Sequence, residues 1–328
     1  MRRTLLALLA FLALPIGCLA APVMTLRYAH PNEAESVAGL QASYFASRVD
    51  EYTRGAIAIE LYPASQMGSL GDQVDLVRRG VIDIHHATAA AIGSLYPDFA
   101  VLDTPYLYRD VCHLLRVVDP ASPVMRKLSA GLLKSSGVQV LYTFYFGTRQ
   151  LSCDRAVYGP KDLAGVAVRS IPFPLYSLAV EALGATPIPV DWSDTAVALA
   201  TKAVSGQENP VNIILSAKLY DYQSHLMLTS HIRSAGIVVI NAASWQRVPA
   251  VYRPAIERAA REASSYATRL CLDGEEKDLA ALESRGMKVI GPADGLDVAA
   301  FAARARRLVA ERYGSIWAEY YRLIASLE

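Results

Sequence analysis

Two arginines and one asparagine carry the chemistry this sequence offers. Arg169 closes the apolar run Val166-Ala167-Val168, and Arg149 lies twenty positions before it. Asn209 follows forty positions after Arg169, inside Gly206-Gln207-Glu208-Asn209-Pro210, a stretch that its glycine and proline mark as a turn. A guanidinium is a planar, permanently charged fork that matches a carboxylate in two parallel hydrogen bonds. An asparagine amide adds a neutral donor and an acceptor that can hold the same oxygen or a neighbouring hydroxyl. No nucleophile and no metal-ligand cluster stands beside these residues, so the set describes a site that holds an organic anion rather than one that transforms it.

Such residues need strand ends and turns to present them. From Thr25 onward, strand-like runs alternate with segments of helical period. Thr25–Tyr28, Ala56–Tyr62, Val81–His85 and Val138–Phe146 read as strands, with helices expected at Ser36–Thr53, Leu70–Arg79 and Pro123–Ser135. This order argues for an α/β protein with a parallel-rich sheet covered on both faces. A second block repeats the alternation: strand Val166–Arg169, helix Leu175–Leu183, strand Thr186–Pro189, helix Ser193–Thr201, the 206–210 turn, and strand Gly236–Asn241. The region from Pro249 to Arg285 is rich in alanine, glutamate and arginine and favours one or two long helices, with Gly274 as a point of interruption. A last amphipathic helix is expected from Val298 to Leu327, with a weak turn at Gly314-Ser315.

The start of the chain reads as a secretory signal over 1–21: Arg2-Arg3, an apolar run from Leu5 to Leu14, then small residues around Cys18-Leu19-Ala20-Ala21. The run is too short for a stable membrane span, which needs ~20 residues. Gly17-Cys18 would also suit a lipoprotein signal, but Pro15 fits that signal badly. Cleavage leaves about 305 residues, room for two domains, and moves the formal charge from +1 to −1. A near-neutral chain with no basic tail gives no electrostatic case for nucleic acid. Three cysteines remain, Cys112, Cys153 and Cys271, without CxxC or Cys/His ligand spacing. They are read as buried thiols; export leaves a disulfide open.

Several short motifs in one order carry a family resemblance. They are Leu26-Arg27-Tyr28-Ala29-His30, Thr53-Arg54-Gly55, Tyr62-Pro63-Ala64-Ser65-Gln66-Met67-Gly68, Arg79-Gly80-Val81-Ile82-Asp83-Ile84 and Thr104-Pro105-Tyr106-Leu107-Tyr108. Asp162 to Arg169 and Gly206 to Pro210 complete the set. Together, over about residues 25–325, they resemble the solute-binding proteins of TRAP (tripartite ATP-independent periplasmic) transporters, of the C4-dicarboxylate-binding type. The resemblance implies a two-domain periplasmic-binding-protein fold, type II-like, with discontinuous domains at 24–146 plus 235–272 and 147–234 plus 273–328. It also implies a long helix spanning both.

The family's principal carboxylate-binding arginine falls on Arg169, and a second ligand-reaching arginine on Arg149, at the implied crossing between domains. Asn209 falls on a ligand contact, and Trp192 on an aromatic position bordering the ligand. The family usually has aspartate where Ser205 stands, a departure that bears on local capping alone. Phe173 is a further candidate for the pocket wall, and Gln66, Gln73, Tyr28 and His30 are candidates for polar contacts from the opposing domain. His85 and His86 are adjacent on a strand and point to opposite faces, so they cannot share one ion and are read as packing or strand-end residues.

These readings define an extracytoplasmic receptor, monomeric and free of cofactor or metal, that closes on a small organic anion and presents it to a membrane permease. Closure would follow from contacts made by both lobes. A sensor in place of the permease is the alternative. No G-x-S-x-G, H-E-x-x-H, Walker or dinucleotide-binding motif supports an enzyme. Trp192 and Phe173 tilt the expected ligand toward an acid with an apolar or ring face.

Overall fold

The computed structural model describes residues 21–327. All but the last residue of the expected leader, Cys18 included, therefore lie outside the described residues. The first half begins with β1 (Met24–Ala29), α1 (Val37–Thr53), β2 (Ile57–Tyr62), α2 (Leu70–Arg78) and β3 (Ile84–Ala87). β1 pairs in parallel with both β2 and β3. Local chemistry sets the helix starts: the Ser36 side chain accepts from the Gly39 N–H, and Ser69 and Asp72 form a reciprocal capping box. Helices α3 (Ala89–Ile92), α4 (Val111–Val118) and α5 (Pro123–Ser136) follow.

The next strand, β4 (Val138–Cys153), runs seven residues past the expected end at Phe146, because its second part pairs on both edges. Beyond it come β5 (Ala167–Ser170), α6 (Pro174–Leu183), β6 (Thr186–Pro189), α7 (Thr195–Ala200), β7 (Gly206–Pro210) and α8 (Val211–Ser216). The expected turn at 206–210 is thus a buried strand, parallel to β5 and antiparallel to β4. Glycine and proline gave a turn signal there, but the glycine lets β7 pack tightly: a Cβ on Gly206 would lie 2.7 Å from the Ser152 carbonyl oxygen. Pro210 ends the strand and starts α8.

β8 (His225–Asn241) returns antiparallel along β4, giving the sheet order β2-β1-β3-β8-β4-β7-β5-β6. The Asn241 end of β8 lies between β3 and the Val138 end of β4, while the other end of β4 lies beside β7 and the other end of β8 beside β9 (Lys288–Ile290). These two strands are therefore shared by both halves of the molecule. Between Tyr145 and Gly147 the β4–β8 register slips by one residue. Such a bulge reverses which face later side chains take. Phe146 and Arg149 consequently reach the same cleft, which strict alternation would forbid. Gly147 holds φ at +117°, and a Cβ there would meet Pro210 at 2.7 Å.

After α9 (Ala242–Arg247), α10 (Arg253–Ser284) is one uninterrupted helix of 32 residues, continuing through Gly274. Its first part packs on α1, where Tyr44 and Tyr266 stack at 4.4 Å and Arg48 Nε meets Glu262 at 2.8 Å. It then crosses β4, donating from Ser264 Oγ to the Thr143 carbonyl, and reaches α8 and β9 in the second half. The expected C-terminal helix breaks near Gly314 into α11 (Val298–Tyr313) and α12 (Ala318–Ala325). α11 lies on α6, but α12 lies on α5, so the block expected at 273–328 divides its packing between the halves. Among the described residues no helix is long and apolar enough to cross a membrane.

Candidate functional site

A cleft opens where the two halves meet, lined by residues of both. From the first half come Pro31 and Asn32 after β1, Leu70 at the start of α2, and His86, Ala87 and Thr88 at the end of β3. The second half contributes Arg169, Ile171, Pro172, Asp191, Trp192 and Asn209, and β4 adds Phe146 and Arg149. Most of these sit at or just beyond the carboxyl ends of parallel strands, where α/β sheets gather ligands.

The two arginines are equally deep, with Arg149 0% and Arg169 2% exposed, yet they differ in what neutralises them. Arg149 grips Glu208 with both Nε and Nη2, and Nη2 also donates to the Glu208 carbonyl at 2.6 Å and to Asn209 Oδ1 at 3.0 Å. Its guanidinium lies over the Tyr176 ring at 5.1 Å. Glu208 receives a second partner, His231 Nε2, at 3.0 Å, and His231 Nδ1 in turn meets Thr229 Oγ1 at 2.8 Å. Burial is the largest influence and opposes charge on both Arg149 and Glu208, but their mutual attraction, joined by His231 beside Glu208 and Tyr176 beside Arg149, outweighs it. Arg149 is held above the ordinary arginine value and Glu208 below the usual carboxylate range.

Arg169 has no such counterion. Its Nε donates to the Val190 carbonyl at 2.9 Å and its guanidinium sits 5.8 Å from the Trp192 ring centre. Nη1 is fully enclosed and makes no hydrogen bond. Burial, helped by the nearby charge of Arg149, pulls its pKa down to about 10, with Glu208 and Asp191 offsetting part of the effect. An unpartnered buried donor on a charged group is costly and calls for an acceptor. Arg169 itself lines the cleft.

Asn209 is held in one orientation. Its Oδ1 accepts from Arg149 and its Nδ2 donates to Gln207 Oε1 at 2.5 Å, leaving one amide N–H for the cleft that it lines.

The structure thus brings together Arg169, Arg149, Asn209 and Trp192. It does not bring in the other five residues expected there. Phe173 precedes α6 and lines a separate apolar crevice with Ala90, Pro97 and Trp317, because the chain turns away from the cleft after Pro172. Gln66 is exposed on the turn after β2. Gln73 is on the buried face of α2 and donates to the Gly68 carbonyl at 2.8 Å. Tyr28 is in the core, where its hydroxyl accepts from Gln41 Nε2 at 2.7 Å. His30 is buried against Tyr28, and the loop after β1 reaches the cleft through Pro31 and Asn32 instead.

His86 was missed. The two rings do take opposite faces: His85 turns toward the Ala29 carbonyl, and His86 toward Phe144 and Phe146 and into the cleft. Excluding a pair did not exclude one member. Burial, with His30 and His85 nearby, keeps His86 neutral by lowering its pKa far below the ordinary value. Asp191 and Thr88 were also missed, although both stand just past a strand end, which is the signal that could have found them.

A sheet shared by two halves, a long helix lying across both, and an interlobe cleft built around one uncompensated cation define a two-lobed solute-binding protein. Residues 28–315 match the family model for bacterial extracellular solute-binding proteins, family 7. The chain is 30% identical over 271 residues to the 2,3-diketo-L-gulonate-binding periplasmic protein YiaO of Escherichia coli, covering 82% of each. It is 28% identical to the C4-dicarboxylate-binding periplasmic protein DctP of Rhodobacter capsulatus, covering 84% of this chain and 82% of that one. A TRAP periplasmic solute-binding protein from Roseobacter denitrificans, solved with bound L-galactonate, superposes with a TM-score of 0.87 at 27% identity. That match covers 94% of this chain and all of the other. The chain belongs to family 7 of the bacterial extracellular solute-binding proteins, the receptors of TRAP transport.

Proposed function

We propose that this protein captures an organic acid in the cleft by its carboxylate, with Arg169 as the anchoring cation, and delivers it to a TRAP membrane permease. The observation that carries this reading is that Arg169 lines the cleft with an enclosed, unpartnered Nη1, while the cleft's other arginine is already neutralised. A carboxylate there would supply the missing acceptor and the missing charge together. Asn209 would donate its remaining amide N–H beside it, and Trp192 would cover one face of the ligand. Similar proteins are named for 2,3-diketo-L-gulonate and C4-dicarboxylates, or hold L-galactonate, all organic acids.

The two halves act as lobes, divided where β4 and β8 cross near Gly147 and Ser234, and the C-terminal helix α12 belongs with the first lobe. A ligand touching Arg169 on one lobe and Asn32 or Thr88 on the other favours the closed arrangement by its differential contacts. Export through the N-terminal leader places the receptor, as a monomer, in the periplasm.

A thermal-shift screen of the mature protein against small organic acids tests this reading. Ligand at a hundred times its dissociation constant adds ~2.7 kcal/mol to stability, easily read as a raised midpoint. A hit that disappears in Arg169→Ala supports it. A hit of equal affinity in that variant would overturn the placement of the carboxylate.

A further inference from the structure

We infer that the cleft selects hydroxylated monocarboxylates and rejects dicarboxylates, with Asp191 as the residue that enforces the choice. This rests on the carboxylate reading of Arg169 and goes beyond it to the charge and functional groups of the rest of the ligand.

The charges around the cleft set the limit. Among the described residues that line it, the cationic side chains are Arg149 and Arg169. Arg149 is spent on Glu208 through a two-pronged buried ion pair. His86 adds no positive charge, since it is buried and neutral. Arg169 is therefore left to hold one carboxylate, and no second cation remains for another.

The opposite sign is present instead. Asp191 lines the same cleft close enough to Arg169 to act on its charge, and its carboxylate makes no hydrogen bond or ion pair with any described residue. Across Trp192, an adjoining crevice is lined by Glu33, whose Oε2 is enclosed without a hydrogen-bond partner. Two carboxylates thus flank the Trp192 end of the cleft. A second ligand carboxylate reaching that end would meet the negative charge of Asp191 in a partly desolvated space, the arrangement by which binding sites reject wrong partners. A hydroxyl reaching the same place would donate to an acceptor that lacks a donor.

Pairs of sugar acids that differ only in the terminal group isolate this effect. L-threonate and tartrate are matched at four carbons, and gluconate and glucarate at six; in each pair a terminal CH₂OH becomes a second carboxylate. Butyrate and hexanoate control for the hydroxyls. Calorimetric titration of the mature protein should show the hydroxylated monoacid of at least one pair binding at least about tenfold tighter than its diacid and than the plain alkanoate. Asp191→Asn keeps the size and removes the charge, so it should raise the affinity for the diacid and shrink that ratio several-fold, with the circular dichroism spectrum unchanged.

Tighter binding of the diacids, or of the alkanoates, would overturn the inference, as would no binding by either sugar-acid pair. A ratio that Asp191→Asn leaves unaltered would remove Asp191 from the account. Arg169→Ala separates the two levels: if diacids bind and that variant abolishes their binding, the receptor reading stands and the selectivity fails. If acids bind and the variant leaves them unaffected, the receptor reading itself fails.

Discussion

Arg149 and Glu208, 59 positions apart in the chain, form a completely buried two-pronged ion pair on neighbouring strands β4 and β7. The pair removes one of two cleft arginines from the contest for a ligand. It leaves Arg169, of similar depth, as the cation that is not neutralised from within. The anion-binding character of the cleft is therefore a difference between two like residues in like burial, created by which one has a carboxylate opposite it.

Replacing Arg169 separates binding from folding. Arg169→Ala should lose at least about 2 kcal/mol of acid binding, since the ligand carboxylate would be desolvated without a partner. Arg169→Met should melt, without ligand, no lower than the unaltered protein, because it removes an enclosed charge whose Nη1 has no acceptor. Adding the acid should then leave its midpoint unchanged. Calorimetry and thermal denaturation of the two variants check both statements.

Breaking the Arg149–Glu208 pair should behave in the opposite way. Glu208→Gln leaves Arg149 buried without a counterion and takes from His231 its charged partner. The expected loss is about 3–5 kcal/mol of folding stability, measured by urea denaturation. The double variant Arg149→Met/Glu208→Leu should recover a large part of that loss, because two matched apolar groups replace two matched charges. A double variant as unstable as the sum of its single changes would contradict this coupling.

Asp103 offers a pH signature. Its Oδ2 accepts from the Ala90 N–H at 2.8 Å and the Tyr176 hydroxyl at 3.2 Å, but burial outweighs these and raises its pKa from 3.8 to about 6. The folded state therefore holds this proton more tightly than the unfolded chain between those two values. Its contribution to stability falls as pH rises from 3.8 to about 6 and stays reduced above that. Asp103→Asn removes this term, so its stability relative to the unaltered protein should increase between pH 4 and pH 7. Glu208, shifted the other way, stabilises above the ordinary carboxylate value and loses that effect only as pH falls toward its lowered folded value. Urea midpoints across this range distinguish the two slopes.

Gly147 should be intolerant of a side chain. Its φ of +117° disfavours any L residue, and the added Cβ would press on Pro210 at 2.7 Å. Gly147→Ala is expected to cost about 1–3 kcal/mol of stability. Since the adjacent bulge brings Arg149 to the cleft face, acid affinity should fall in the same variant. A stable variant with normal affinity would show that the crossing does not depend on this residue.

What the sequence determines by itself is local. An apolar run ending in arginine places Arg169 at a strand end, because extended geometry and strand polarity follow from neighbouring residues. Helical propensity over Arg253–Ser284 makes α10, and the capping residues Ser36 and Ser69 start their helices without help from afar. The tertiary structure alone decided the rest. It turned the 206–210 segment from an apparent turn into a central strand by pairing it on two edges. It slipped β4 by one residue so that Arg149 faces inward, and it carried α12 back to the first half. It also assigned Glu208 to Arg149, left Arg169 open, and sent Phe173 and Tyr28 away from the cleft. Charge compensation and pocket membership depend on distances through space, and pairings between residues far apart in the chain arise only when the strands carrying them are laid side by side.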